Sequence, residues 1–333
     1  MKRMPRLLSA FAVIAMLLGS GSIASAKTVI RMATLAPANS SWVKSFKKAA
    51  KKIKDRTNGE VVIRIYPGGV QGDEDIAVAK MKSGSLQAAA VTAVGLSKIS
   101  KDVLVMQAPG LLTNTAKLDK VRKGMQRTFE KSMEKNGFIV LGWADVGILN
   151  VYSNRPIRTP KDLRDGGVKL WLWNSDPIVP KMARILKKSG VSVGVPDVLP
   201  ALNTGRINTL LGSPYACHTL QWCSKMKYRT DLPMGATVGA IVMNKKVFDG
   251  LSPEHQAIVR EEHSKAARKL IRKVRRLNKK TLKLLNTKIE TVPLTAGEIA
   301  EWKELFTKAQ NALAGPVYSK ANLKRARKLS GWK

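Results

Sequence analysis

Residues 155–177, RPIRTPKDLRDGGVKLWLWNSDP, join a helical turn, a strand and the start of a second helix. Thr159 is placed to N-cap a short helix whose first position is Pro160, where a missing amide hydrogen costs nothing. Gly166 and Gly167 then end that helix. From Val168 to Trp173 the pattern predicts a strand, with Val168, Leu170 and Leu172 on one face and Lys169, Trp171 and Trp173 on the other. Asp176 and Pro177 open the next helix. A strand that runs straight into a helix ends at the carboxyl edge of a sheet, where open α/β folds bind ligands. Trp171, Trp173 and the adjoining Asn174 therefore stand at a candidate site.

The rest of the chain repeats this alternation. Lys27–Thr34, Val61–Tyr66 and Leu86–Thr92 read as strands, and Thr92 ends at the same sheet edge. A helix carrying Trp42, Val43, Phe46, Ala49, Ala50 and Ile53 at helical spacing separates the first two strands, and Asp75–Lys82 the next two. Strand, helix, strand, helix, strand implies a parallel sheet with right-handed crossovers. Lys117–Lys135 is a polar helix, Phe138–Trp143 and Ile148–Ser153 are strands parted at Gly147, and Thr237–Met243 is a strong strand. Ser252 caps a helix that can run to Asn286, with an apolar stripe of Ala267, Leu270, Ile271, Val274, Leu277 and Leu284 interrupted at Thr281. Its other side is basic: ten lysines and arginines and no acid lie between Lys265 and Lys283.

A chain of 333 residues with 44% hydrophobic content can bury two lobes of ordinary size. The basic start MKRMPR, the apolar run Leu7–Leu18 and Ala24-Ser25-Ala26 read as a secretory signal cut after Ala26; the run falls short of the ~20 residues that span a bilayer. Losing Lys2, Arg3 and Arg6 with that leader takes the formal net charge from +36 to +33. Such an excess attracts any polyanion without choosing among them. Cys217 and Cys223 are too few for a zinc site and can be two buried thiols or a local disulfide. No Ser-His-Asp ordering, H-E-x-x-H, Walker or G-x-G-x-x-G element is present, which argues against an enzyme, and no cofactor or metal is implied. With 5% aromatic residues and no recognised nucleic-acid motif, charge alone does not make a nucleic-acid binder.

Three segments carry a family resemblance. PIRTPKDLRDGGVKLW is similar to an xPIRTPxDLxGxKxR pattern, TNGEVVIRIYPGGVQGDE to TNGExxIxIYPGGxxGxE, and PALNTGRINTLLGSP to xALQxGxVDGxxxxP. Together they resemble the periplasmic substrate-binding subunits (DctP-like family) of tripartite ATP-independent periplasmic (TRAP) transporters. That resemblance implies an α/β, type II-like two-lobed periplasmic binding protein fold with a long helix spanning both lobes. Lobe I would comprise 27–149 plus 236–250, lobe II 150–235 plus about 287–333, and the spanning helix 251–286. It also implies an extracytoplasmic receptor that delivers a small molecule to a TRAP membrane permease.

The family's clamp chemistry is altered here. The arginine that grips a substrate carboxylate aligns with Trp171, a second arginine position with Leu149, the family aspartate with Asn208, and the following polar positions with Leu210 and Leu211. A guanidinium fork is the device for holding a carboxylate, and neither Trp nor Leu supplies it. Trp42, Leu149, Trp171, Trp173, Leu210 and Tyr215 would then line an apolar cleft for an uncharged or amphipathic ligand. Two other readings stay open: a clamp relocated to Arg155, Arg158 or Arg206, and a basic surface that binds anionic lipid, an acidic accessory protein or, less favoured, nucleic acid.

Overall fold

The computed structural model describes residues 27–332, so the expected leader at 1–26 lies outside the described residues. In chain order the elements are β1 (Thr28–Thr34), α1 (Ser41–Arg56), β2 (Val61–Tyr66), α2 (Glu74–Lys82), β3 (Ala88–Thr92), α3 (Ala93–Ser97), α4 (Thr115–Lys135) and β4 (Phe138–Ser153). There follow β5 (Leu170–Trp173), α5 (Val179–Ile185), β6 (Gly190–Val193), α6 (Val198–Asn203), β7 (Thr209–Gly212), α7 (Pro214–Thr219), β8 (Tyr228–Thr230) and β9 (Gly235–Asn244). The chain ends with α8 (Lys245–Asp249), α9 (Pro253–Leu285), β10 (Glu290–Val292), α10 (Ala296–Leu313) and α11 (Lys320–Ser330).

One strand ties the two lobes together. The sheet runs β2-β1-β3-β9-β4-β7-β5-β6, with β8 joining β4 to β10. Along its first part, Phe138–Leu149, β4 pairs antiparallel with β9; from Asn150 to Ser153 it pairs with β7 instead. The two strands expected on either side of Gly147 are therefore one strand of 16 residues. Gly147 sits at a register shift with φ +144°, and a Cβ there would come within 2.7 Å of Ser213 Cβ. A bulge bends this strand where a side chain could not fit.

In the first lobe β1 pairs in parallel with β2 and β3. Ser40 caps α1 by accepting from Val43 N at 3.2 Å, and Trp42, Val43, Phe46, Ala49 and Ile53 form its buried face. In the second lobe β5 pairs in parallel with β6 and β7. Its alternation splits the strand between two cores: Leu170 and Leu172 pack toward Trp302 and Phe306 of α10, and Trp171 and Trp173 toward Val198 and Trp222.

α9, 33 residues long, starts at a Ser252 cap and packs on α1 of one lobe and α7 of the other. Its buried line is Ala267, Leu270, Val274, Thr281 and Leu285. Thr281, expected as a gap, is buried, whereas Leu284, expected in the stripe, is 41% exposed, because a 3.6-residue period puts 281 and 285 under one another and turns 284 outward. Arg275, expected on the outer basic face, instead pairs with Asp119 and Asp145.

Other boundaries differ for local reasons. Thr159 does not cap a helix; Asp162 turns back to accept from the Arg158 and Thr159 amides, and a single 3₁₀ turn, Asp162–Arg164, follows. The next helix starts at Val179 because Asp176 caps the Ile178 amide in a turn. Expected in the second lobe with the rest of 287–333, α11 packs on α4 instead: Leu323 and Ala326 share a core with Leu118 and Val121. Cys217 and Cys223 are joined by a disulfide.

Candidate functional site

The lobes meet over a cavity of about 250 Å³. β3 ends there at Thr92, β5 at Trp173 and β7 at Gly212, as expected for strand ends at the carboxyl edge of an α/β sheet. Trp171 and Trp173 stack with ring centres 6.2 Å apart, and Trp222 meets Trp171 edge-on at 5.2 Å. The indole of Trp171 donates to Val193 O at 3.0 Å, which fixes its ring in the wall. Trp42 closes the first-lobe side, its indole donating to Asp145 O at 3.4 Å.

Of the residues singled out from sequence, Trp42, Thr92, Leu149, Trp171, Trp173, Leu210 and Leu211 lie together around the cavity. Asn174 does not: it is exposed in the turn after β5, because the pleat that points Trp173 at the cleft carries the next residue outward. Tyr215 is also outside the lining; it is buried behind Trp42, ring centres 4.7 Å apart, with its hydroxyl accepting from Ser41 N at 3.0 Å.

None of the arginines offered as a relocated clamp reaches the cavity. Arg155 pairs with Asp165 at 2.7 Å at the surface, Arg158 grips Glu298 with two nitrogens at 2.5 and 3.1 Å, and Arg206 is exposed. Among the described residues, no lysine, arginine or histidine lines the cavity, while three carboxylates do: Glu74, Asp145 and Asp176.

Each carboxylate has a different setting. Asp145, on β4, accepts from Arg122 of α4 and from Arg275 Nε at 2.6 Å, and Asp119 closes the ring of charges by binding both arginines. The nearest guanidinium groups are thus held by carboxylates behind the wall. Glu74, in the first turn of α2, accepts from Thr92 N, Thr92 Oγ1 and Gly95 N, each at 2.7 Å. Burial nevertheless pushes its carboxyl up to about 7, against the pull of those donors. Asp176 is raised to about 6, again by burial and against the Ile178 amide. Its Oδ1 caps that amide at 2.7 Å.

A polar latch crosses the cleft mouth. Asp73, which caps α2 through Oδ1, accepts through Oδ2 from the Trp173 indole at 2.8 Å and from Val195 N at 3.0 Å. Lys98 of the first lobe donates to Ser175 O at 2.9 Å in the second. These bonds hold the lobes in a closed arrangement.

Sequence reasoning did not single out Glu74, Asp145, Trp222, Trp302 or Phe306 as cavity residues. Glu74 carried a signal, an acid in a first helical turn just beyond the glycine turn Gly68-Gly69. The others carried none, because they reach the cavity only once α10, the crossing strand and the turn after α7 are in place.

A two-lobed α/β fold with a ligand-sized cavity between the lobes and a long helix touching both is the architecture of solute-binding proteins. The chain belongs to the DctP family, the bacterial extracellular solute-binding proteins of family 7, whose model matches residues 32–314. It is a solute-binding family and not an enzyme family. Among curated relatives, the 2,3-diketo-L-gulonate-binding periplasmic protein YiaO of Escherichia coli is 25% identical over 62% of this chain; the match spans 64% of that relative's length. The C4-dicarboxylate-binding periplasmic protein DctP of Rhodobacter capsulatus is 22% identical over 78% of both chains. Among solved structures, a TRAP periplasmic solute-binding protein from Ralstonia eutropha with bound (S)-2-acetolactate superposes with a TM-score of 0.84 at 20% identity, covering 92% of this chain and 100% of that one. One from Shewanella oneidensis with bound succinate gives the same TM-score and coverage at 15% identity.

Proposed function

We propose that the protein is the periplasmic receptor of a TRAP transporter, closing over a small molecule and passing it to a membrane permease, and that this molecule is a largely apolar, non-carboxylate solute. Lobe I is taken as 27–149 with 236–250, joined by α11, and lobe II as 150–235 with β10 and most of α10.

Among the described residues the cavity wall has three carboxylates and no basic side chain, and this carries the ligand assignment. The Ralstonia and Shewanella proteins hold carboxylates. A buried carboxylate needs a cation or a dense set of donors to offset its lost hydration. Here the guanidinium groups that come near, Arg122 and Arg275, are consumed by Asp145 and Asp119. The +33 charge left after leader removal does not substitute, since exposed charges are screened and impose no geometry. Trp171, Trp173, Leu149, Leu210 and Leu211 offer apolar area worth roughly 25 cal/mol per Å² removed from water. Thr92, Thr237, Gln107 and Asp176 supply a few polar contacts for orientation.

Mass spectrometry of molecules released from the purified receptor, followed by calorimetric titration, tests this reading. The released molecule should lack a carboxylate, Trp171→Ala should weaken its binding by about tenfold or more, and Trp171→Arg should not improve it. Binding of succinate or (S)-2-acetolactate with a Kd of about 1 μM or tighter would overturn the ligand assignment.

A further inference from the structure

On α9 the residues Arg268, Lys269, Arg272, Lys273, Arg276, Lys279, Lys280 and Lys283 are all exposed. At ~100° per residue they fall within an arc of about 140° that runs for about 22 Å along the helix. From 268 to 285, every residue on that arc is lysine or arginine. None of the eight has a carboxylate partner among the described residues; of the lysines and arginines of this helix, Lys265, which pairs with Glu261 just before the stripe begins, and Arg275, on the inner side, do.

The stripe runs against the helix's own stability. Arg268 and Arg272, Lys269 and Lys273, Arg272 and Arg276, Arg276 and Lys280, and Lys279 and Lys283 are like charges at i, i+4, each of which weakens a helix. The helix tolerates them because Ala267, Leu270, Val274 and Leu285 are buried on its opposite side.

We propose that this stripe docks the receptor on anionic phospholipid headgroups of the membrane that holds its permease. The membrane setting rests on the TRAP assignment; the docking itself rests on the stripe and is independent of the ligand assignment. A specific protein interface needs an apolar centre with aromatic anchors and is depleted in lysine. The arc has no apolar, aromatic or acceptor side chain, and five of its eight residues are lysines. A row of cations without fixed geometry matches instead a fluid sheet of phosphates, to which each adds attraction that fades within a Debye length. Leu284, exposed beside the end of the stripe, is a single apolar residue and no anchor patch. Surface docking would confine the search for the permease to two dimensions.

Co-sedimentation of the mature protein with vesicles tests this. The native protein should bind vesicles of equimolar phosphatidylglycerol and phosphatidylcholine at low salt, not vesicles of phosphatidylcholine alone, and should be released at ~1 M salt, where the Debye length is about 3 Å. Replacing Arg272, Arg276, Lys279 and Lys283 by Gln should lower the partition coefficient by roughly 600-fold, at about fivefold per cation. Replacing Lys303, Lys308, Lys320 and Lys324 on α10 and α11 removes the same charge elsewhere and should lower it by no more than about threefold. Equal losses in the two variants would reduce the effect to net charge and overturn the proposal. So would a native protein that ignores the anionic vesicles yet binds poly-glutamate through the same four cations, which would assign the stripe to an acidic polypeptide.

Discussion

The wall of the inter-lobe cavity and the outer face of α9 carry opposite charge, although Arg275 and Arg276 put the two regions one residue apart in sequence. The outer arc holds only lysine and arginine, and among the described residues the cavity holds Glu74, Asp145 and Asp176 with no base. Net charge describes the surface of this molecule and misdescribes its interior. The contrast turns on helical phase: Arg275 points inward and is neutralised by Asp119 and Asp145, while Arg276, ~100° further round, faces solvent with no carboxylate partner among the described residues.

The contrast is broken most sharply at Asp145. Asp145→Ala would leave Arg122 and Arg275 with only the half-exposed Asp119, and removing one partner of a buried ion pair typically costs about 3–5 kcal/mol. Urea unfolding should show a loss of that order, and the freed guanidinium groups should let the cavity bind succinate weakly where the native protein does not. A stability loss below about 1 kcal/mol would show that the pair does not hold these arginines in place.

Glu74 tests the interior charge by titration. Its folded-state value, about 7, lies above the ordinary glutamate value of 4.5, so folding takes up a proton between the two. The stabilisation from the protonated acid is therefore full below about pH 4.5 and is lost as pH rises through about 7, a total of roughly 3 kcal/mol. Asp176, raised to about 6, acts in the same direction. The buried His263 acts oppositely: its lowered value makes stability fall as pH drops below about 6.5. Unfolding measured between about pH 5 and about pH 8 should show native stability declining through about 7, and Glu74→Gln should flatten that decline. An unchanged slope in the variant would place the titration elsewhere.

The smallest effect is expected outside. Gln at positions 272, 276, 279 and 283 should leave thermal stability within about 0.5 kcal/mol of native, or raise it slightly, because it removes like-charge pairs and breaks no ion pair. A loss of more than about 1 kcal/mol would mean that these side chains hold the fold and that the contrast with the interior is incidental.

Much of the fold was legible locally. Alternation in Val61–Tyr66, the Ser252 cap and the helical spacing of Trp42, Phe46 and Ile53 depend on near neighbours, and these elements stand where the sequence predicts them. The misread boundaries, at Thr159 and Asp176, are those where an acidic side chain captured backbone amides ahead of the helix. Both outcomes are compatible with the same residues, so local pattern did not separate them.

At the site the division is similar. Trp171 on its strand, Thr92 at a sheet edge and Leu210-Leu211 in place of polar residues are facts of sequence position, because a period of two and a strand-to-helix turn fix where such side chains can go. Whether a charge is available to a ligand is not a local property. Arg158 meets Glu298 across 140 residues and Arg275 meets Asp145 across 130, and the tertiary structure alone brings these pairs together. By itself the sequence determined that Thr92, Trp171, Leu210 and Leu211 stand at the cleft and that α9 carries a basic side. The tertiary structure decided which of those charges are cancelled, because ion pairing depends on distances of a few ångströms between segments that the chain holds far apart.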